Sequence, residues 1–348
     1  MALGDYVPGV ENPTQCLSDP GPFQILPFTV KKADNEIIWG SAWSPWHNYG
    51  GWMHRRILNP EKINTNMNPE PQTHHANNQE GIKNPVREYY NKHVKDEDRR
   101  LKENEFELPV TFKYIDAYLK AGDKVLDMAC GTGRYAKRLL QKGYQVGLND
   151  LSDNNMNLTL KRLGDDRNVL HTEVSDALEA KIWEKEPWDA ILLLGPLYHL
   201  INRKERLVIL RKAANSVKKG GTVFTAFMSR TAALLYGLKN NAAGILSERG
   251  TLQLWESGTD EEFTGGTEWF VNAYFSFPDE IEPLVKEAGL EPLHLVGIEG
   301  VFGEHMHLYH GLRDDLKKPW MKFIMDHNEE VHMIQASKHL LSVSRRMR

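Results

Sequence analysis

The chain has 348 residues, 41% of them hydrophobic, and a formal net charge of −4. That is enough for one large α/β domain with attachments, without the basic surface that a nucleic-acid partner requires. Two cysteines, Cys16 and Cys130, cannot form a disulfide framework, so a reducing cytoplasm is the expected compartment. The first residues lack the apolar core of a signal peptide, and the longest apolar run, 190–194, is far too short to cross a bilayer. A soluble protein with no membrane partner is therefore expected.

Residues 1–84 are rich in Pro, Asn and Gly but carry four tryptophans, in a cluster that contains Trp39, Trp43, Trp46, His47, Tyr49, Trp52 and His54. So much apolar surface should dock rather than stay in water. The segment is expected to be an N-terminal arm, serving either as a lid over a ligand or as a dimerisation element. Residues 85–120 read as helices leading into the first strand of the main body, and Tyr89 and Tyr90 lie in the first of them.

From about residue 85 onward, apolar β-rich runs alternate with amphipathic stretches, the pattern of a parallel sheet wrapped by helices. Strands are expected at 124–128, 145–148, 168–173, 190–194 and 221–227, with helices at 134–141, 154–163 and 203–217 between them. The last of these helices is expected to stop at Lys218-Lys219-Gly220-Gly221, with cations in its final turn and glycines beyond. Residues 229–277 are too long for a simple crossover and read as an insertion ending in an aromatic run. A helix at 279–288, capped by Gly289, and strands at 292–298 and 339–344 complete the chain.

The chemistry concentrates after the first of these strands, in Val125-Leu126-Asp127-Met128-Ala129-Cys130-Gly131-Thr132-Gly133. A strand ending in a Gly-x-Gly turn lets the backbone approach a ligand closely, and the helix that follows offers free amides. The spacing to Ala136 also fits a dinucleotide fingerprint, so an NAD(P)-dependent oxidoreductase is the competing class. Asp127 separates the two. A carboxylate at the strand end would repel a pyrophosphate but suits a ligand that carries an ammonium and a sulfonium. Asp150, after the second strand, can accept from ribose hydroxyls of either ligand.

In this series the sequence resembles the class I S-adenosylmethionine-dependent methyltransferases, over roughly residues 85–348. The resemblance implies a doubly wound, seven-stranded Rossmann-like sheet with its last strand antiparallel, and S-adenosyl-L-methionine as cofactor. It implies that Asp127 and the Gly131–Gly133 turn hold the methionine moiety and that Asp150 holds the ribose, with Ala129 and Leu151 also among the cofactor-binding residues. Ser175-Asp176-Ala177 matches the adenine side. Leu194-Gly195-Pro196-Leu197-Tyr198-His199 matches the loop beside the reactive methyl. Asn149 departs from the family, which has an apolar residue there.

Tyr90 is expected to close over the cofactor, and His199 and Tyr198 are the candidate catalytic residues, His199 as base or orienter. The insertion at 229–277 is expected to cap the acceptor. Aromatic content favours a small amine or thioether acceptor such as an amino acid, since π-faces stabilise cations; a hydroxyl acceptor with His199 as base is the alternative. Glu304-His305-Met306-His307 invites a metal reading if His305 and His307 share a strand face, but no partner carboxylate stands at a known spacing, so no metal is expected.

Overall fold

In the computed structural model, the described residues are 31–33, 36–38, 84–241, 253–259 and 273–347. The chain divides into two units, Met1–Asn78 and Gln79–Arg348. Strands β1 (Lys31–Ala33) and β2 (Glu36–Ile38) pair antiparallel in the first. The tryptophan cluster, the rest of the arm through residue 83, and residues 242–252 and 260–272 of the expected insertion lie outside the described residues.

The second unit is built on the apolar runs. Strands β3 (Lys124–Met128), β4 (Gln145–Asp150), β5 (Val169–Val174), β6 (Trp188–Leu193) and β7 (Val217–Ser229) are parallel neighbours. Two-residue β8 (Phe275–Ser276) pairs parallel with the end of β7, while β9 (Leu290–Gly297) and β10 (His339–Arg346) run along its far side. The order is β5-β4-β3-β6-β7-β10-β9, with β10 antiparallel to both neighbours. The seven expected strands are all present and β8 makes an eighth. Val125, Leu126 and Met128 are fully buried, as befits a central strand covered on both faces.

The chain moves from β3 outward to β5 and then restarts on the other side of β3 with β6. Open α/β sheets bind ligands at such a switch point, beyond the carboxyl ends of the strands. Helix α1 (Pro85–Lys92), α2 (Val94–Glu103) and α3 (Glu107–Tyr118) precede β3; α4 (Arg134–Gln141), α5 (Asp153–Leu163) and α6 (Arg203–Ser216) alternate with the strands. Helix α7 (Arg230–Asn241) follows β7.

Two local expectations are corrected. Lys218–Gly221 are not a helix cap with glycines beyond: α6 ends at Ser216, and β7 starts at Val217 in extended backbone. The surplus residues are absorbed as a register shift, Trp188 facing Val217 and Ala190 facing Thr222, with Gly220 at φ +77°. His305 and His307 do not share a strand face. They lie in a 3-10 turn (Gly300–His305) and the short helix that follows it (Met306–His310).

Candidate active site

Strand β3 delivers Asp127 to the switch point, and the chain then turns through three residues of positive φ: Ala129 (64°), Gly131 (55°) and Gly133 (75°). Gly133 is the N-cap of α4. A Cβ there would sit 2.6 Å from Thr159 Cγ2, so no other residue fits without displacing α5. A Cβ on Gly131 would meet nothing within 4 Å, so the turn leaves open room above it. Thr159 Oγ1 holds the turn from below, donating to the Gly131 carbonyl at 2.8 Å. Ala129 is the one non-glycine with positive φ among the described residues, a conformation that costs about 1–2 kcal/mol.

Asp127 is 2% exposed, and its Oδ2 has no hydrogen-bond partner. Desolvation, and then the charge of Asp150, push its carboxyl up to about 7. Asp150, at the end of β4, is more fully engaged than its sequence suggests. Its Oδ2 accepts from the Gly131 amide at 2.7 Å; its Oδ1 accepts from Ser152 N at 2.8 Å and Asn155 Nδ2 at 3.3 Å. A carboxylate has about four acceptor sites, so room for about one further donor remains. Burial outweighs these bonds and lifts Asp150 to about 6. Ser152, not Asp150, caps α5, accepting from Asn155 N.

Asn149 has a structural task that explains a polar residue in a buried strand. Its side-chain amide donates to the carbonyls of Glu173 and Ser175 and to Ser175 Oγ, fixing the segment that carries Asp176. Asp176 accepts from Leu178 N at 2.8 Å, and Ala177 packs on the core beneath. Leu151 follows Asp150, half-buried, and Leu194 packs on the opposite core layer.

The loop after β6 brings the candidate catalytic residues together. Tyr198 Oη reaches the Leu194 carbonyl at 3.4 Å and stands 3.8 Å from where a Gly195 Cβ would lie. Burial pushes the Tyr198 phenol up. His199 Nε2 is 2.7 Å from Tyr90 Oη, the two rings meeting edge to face. Tyr90, expected against the cofactor, thus joins the histidine. Helix α1 is seated by Asn91, whose side-chain oxygen takes Ser152 Oγ at 2.6 Å and whose carbonyl takes Asn154 Nδ2 at 2.9 Å.

Beside this cluster opens a cavity of about 570 Å³, walled by Tyr89, Tyr90, Tyr198, Tyr236 and Phe275 and by residues of α2, α7 and the turn after β9. Helix α2 also grips the glycine turn. Asp98 accepts from Thr132 Oγ1 at 3.0 Å and from Arg162 Nη2 at 2.8 Å, while Arg162 donates to the Thr132 carbonyl. Sequence reasoning missed Asn91, Asp98 and Arg162, and also Glu299 and His339, which line the cavity. Their pairings span tens of residues or more and leave no periodic trace.

No group of three or more His, Cys, Asp or Glu side chains is placed to hold a metal among the described residues. For S-adenosylmethionine the residues present do fit: the orphaned, buried Asp127 oxygen calls for a donor such as an ammonium, and the bare Gly131 turn leaves space for the ligand.

The methyltransferase domain family model matches residues 125–221. The ubiquinone biosynthesis O-methyltransferase of Dechloromonas aromatica is 28% identical over 192 residues, covering 55% of this chain and 74% of that protein. Its counterpart in Thiobacillus denitrificans is 25% identical over 191 residues, with the same coverage of 55% and 74%. Among solved structures, the N-methyltransferase NodS of Bradyrhizobium japonicum, in complex with S-adenosyl-L-homocysteine, aligns with a TM-score of 0.48 at 12% identity, covering 75% of this chain and 98% of that one. With the sheet order and the glycine turn, the match over residues 125–221 makes this part of the chain the methyltransferase domain of an S-adenosylmethionine-dependent enzyme.

Proposed function

We propose that this methyltransferase acts on a hydroxyl group of a small, largely apolar or aromatic molecule bound in the cavity beside Tyr90 and Tyr198. The carrying observation is the Tyr90–His199 pair, a phenol and an imidazole in hydrogen-bond contact at the edge of that cavity. A hydroxyl is protonated at neutral pH and must lose its proton as the new O–C bond forms, so a base is useful here as it is not for a thioether.

Bound S-adenosylmethionine supplies an electrophilic methyl on a sulfonium. The chain's own part is positional and protonic. Asp127 offers its free oxygen to the ligand's ammonium, Gly131 lets the backbone come close, and Asp150 both fixes the turn and keeps one acceptor site for the ribose. Ala129, Leu151, Asp176, Ala177 and Leu194 line the remaining edges in this reading. Burial holds the Tyr90 phenol protonated. Tyr90 therefore donates to His199 Nε2 and can accept from the substrate hydroxyl; as the substrate proton moves to Tyr90 Oη, the Tyr90 proton moves to His199 Nε2. The relatives' name, O-methyltransferase, supports the same acceptor atom.

One observation favours a second reading, an amine acceptor. Glu304, on the cavity wall, has a buried carboxylate oxygen that accepts no hydrogen bond among the described residues. Lys338 Nζ stands 3.7 Å from that oxygen, beyond hydrogen-bond reach, and a cationic substrate would meet it more closely. Incubation with methyl-labelled S-adenosylmethionine and fractionated metabolites, followed by mass fragmentation of the labelled product, decides. A methyl ether supports the hydroxyl reading, and a methylamine or sulfonium product overturns it.

A further inference from the structure

Three histidines that the proposed chemistry does not use line the cavity, His307, His310 and His339, and the last of them is gripped by a buried carboxylate, Glu299. Glu299 is 1% exposed, yet it is fully provided for: it accepts from Asn104 Nδ2 at 2.8 Å and from the backbone amides of Lys338 and His339 at 3.1 and 3.0 Å. Its Oε1 also takes His339 Nδ1 at 2.5 Å. Burial alone would raise the carboxyl, but the electrostatic attraction of the adjoining His339 ring, and then these bonds, hold it below the usual range. A buried carboxylate with this many donors is rigid, and so is the imidazole it grips.

That grip commits Nδ1 and leaves Nε2, for which no described residue supplies a partner, on a ring that lines the cavity. Glu97 and Arg100, also on the wall, are half-buried and satisfy one another. Glu97 takes both ends of Arg100 at 2.7 and 2.9 Å. His339 opens strand β10 opposite Met228 of β7, and β7 is the direct neighbour of β6. Two strand spacings, roughly 10 Å, therefore separate it across the sheet from the line of β6, whose last paired residue, Leu193, faces Thr225.

We propose that His339, held by Glu299, is an acceptor-positioning residue whose Nε2 hydrogen-bonds a second hydroxyl of the acceptor, at the end opposite the methylated one. The substrate class is then an apolar or aromatic body with hydroxyls at both ends. This rests on the hydroxyl reading above for its reacting end, but the anchor is tested by binding alone.

The probes are 4,4′-dihydroxybiphenyl, whose oxygens stand roughly 10 Å apart, like the two strand spacings, and 4-hydroxybiphenyl, which lacks one of them. Each is titrated calorimetrically into the full chain saturated with S-adenosylhomocysteine. The dihydroxylated probe should bind about fivefold to tenfold more tightly, the scale of one hydrogen bond. His339→Asn keeps an amide where Nδ1 meets Glu299 and removes Nε2, so it should erase the preference while S-adenosylhomocysteine affinity and Tm hold. His339→Gln reaches the Nε2 position and should restore part of it. In the wild-type chain, the nitrogen resonance of His339 Nε2 should move with the first probe and not with the second, a readout independent of any variant. Equal affinities, no binding of either probe, an unmoved Nε2 resonance, or a preference that survives His339→Asn overturns the anchor. Mass analysis with S-adenosylmethionine in the same samples separates the two ideas: methylation without preference sinks the anchor alone, and preference without methylation sinks the hydroxyl reading alone.

Discussion

Asp127 and Asp150 end neighbouring parallel strands as two buried carboxylates, and the charge of Asp150 adds to desolvation in raising Asp127 to about 7. The folded chain therefore holds a proton on Asp127 more tightly than the unfolded chain, whose aspartate titrates near 3.8. Between these values the folded state binds more protons, so the Asp127 contribution to stability is fully present below about pH 4 and is lost as pH rises through about 7. A ligand ammonium reverses the penalty by pairing with the ionised form. The melting-temperature gain from saturating S-adenosylhomocysteine should accordingly be larger at pH 8 than at pH 5.5. Asp127→Asn should flatten that dependence and raise the stability of the ligand-free protein at pH 8. A gain independent of pH in the wild-type protein would remove Asp127 from the ligand.

The two glycines of the turn should fail differently. Gly131→Ala meets open space, so it costs only the strain of positive φ, about 1–2 kcal/mol, while its methyl occupies the room left for the ligand. Gly133→Ala adds a collision with Thr159 to the same strain. Thermal melts paired with calorimetry should show Gly131→Ala folded but weak in S-adenosylhomocysteine binding, and Gly133→Ala markedly less stable. The reverse order would mean that the ligand does not lie over Gly131.

Asp150→Ala should lose more than one ribose contact, because the Gly131 and Ser152 amides lose their acceptor too. Affinity for S-adenosylhomocysteine should fall by one to two decades, the equivalent of about 1.5–3 kcal/mol. Asp150→Asn, which keeps one oxygen, should fall between. Isothermal titration of both variants tests this, and unchanged affinity in a folded Asp150→Ala protein excludes the residue from the site.

If Tyr90 and His199 act as one relay, their losses should not add. His199→Ala and Tyr90→Phe should each lower turnover of the identified acceptor by about 10²–10⁴, leaving S-adenosylhomocysteine affinity near that of the wild type. The double variant should be no slower than the worse single one, the behaviour of residues that work as a unit. Multiplied losses would separate the two residues into independent roles.

The parts that local pattern encodes were legible in the sequence. The strands announced themselves as apolar runs, and the turn after β3 by Asp127 and its glycines, because strand burial and positive φ each demand particular residue types at fixed spacing. Pairings made across the fold were not. Nothing near Asn149 announces that its amide ties β4 to Ser175, and nothing near Glu299 announces His339, forty positions away in the chain. Lys218–Gly221 misled because cations followed by glycines also end helices; here the glycines serve a strand irregularity instead. Asp150 was read from its position alone, and its position could not show how much of its hydrogen-bonding capacity the turn consumes.

Asp98 is one of these invisible pairings, and it links the two halves of the site. Its carboxylate joins Lys102 of its own helix to Thr132 and Arg162 of the glycine turn and α5, and those bonds lower it to about 2 although burial pulls the other way. With the folded value below the unfolded 3.8, the stability it contributes is present above about pH 4 and is lost as pH falls through about 2. Helix α2 also carries Glu97 and Arg100 on the cavity wall, so a loosened turn should loosen the acceptor side as well. Asp98→Asn keeps the shape and removes the charge. It should raise the Km for both S-adenosylmethionine and the acceptor by several-fold, with a smaller change in kcat, and should weaken the acid sensitivity of the melting temperature below pH 4. Steady-state kinetics at two cosubstrate concentrations gives the split. If Asp98→Asn lowered Tm while leaving both Km values unchanged, the contact would be a structural brace with no part in aligning the two substrates.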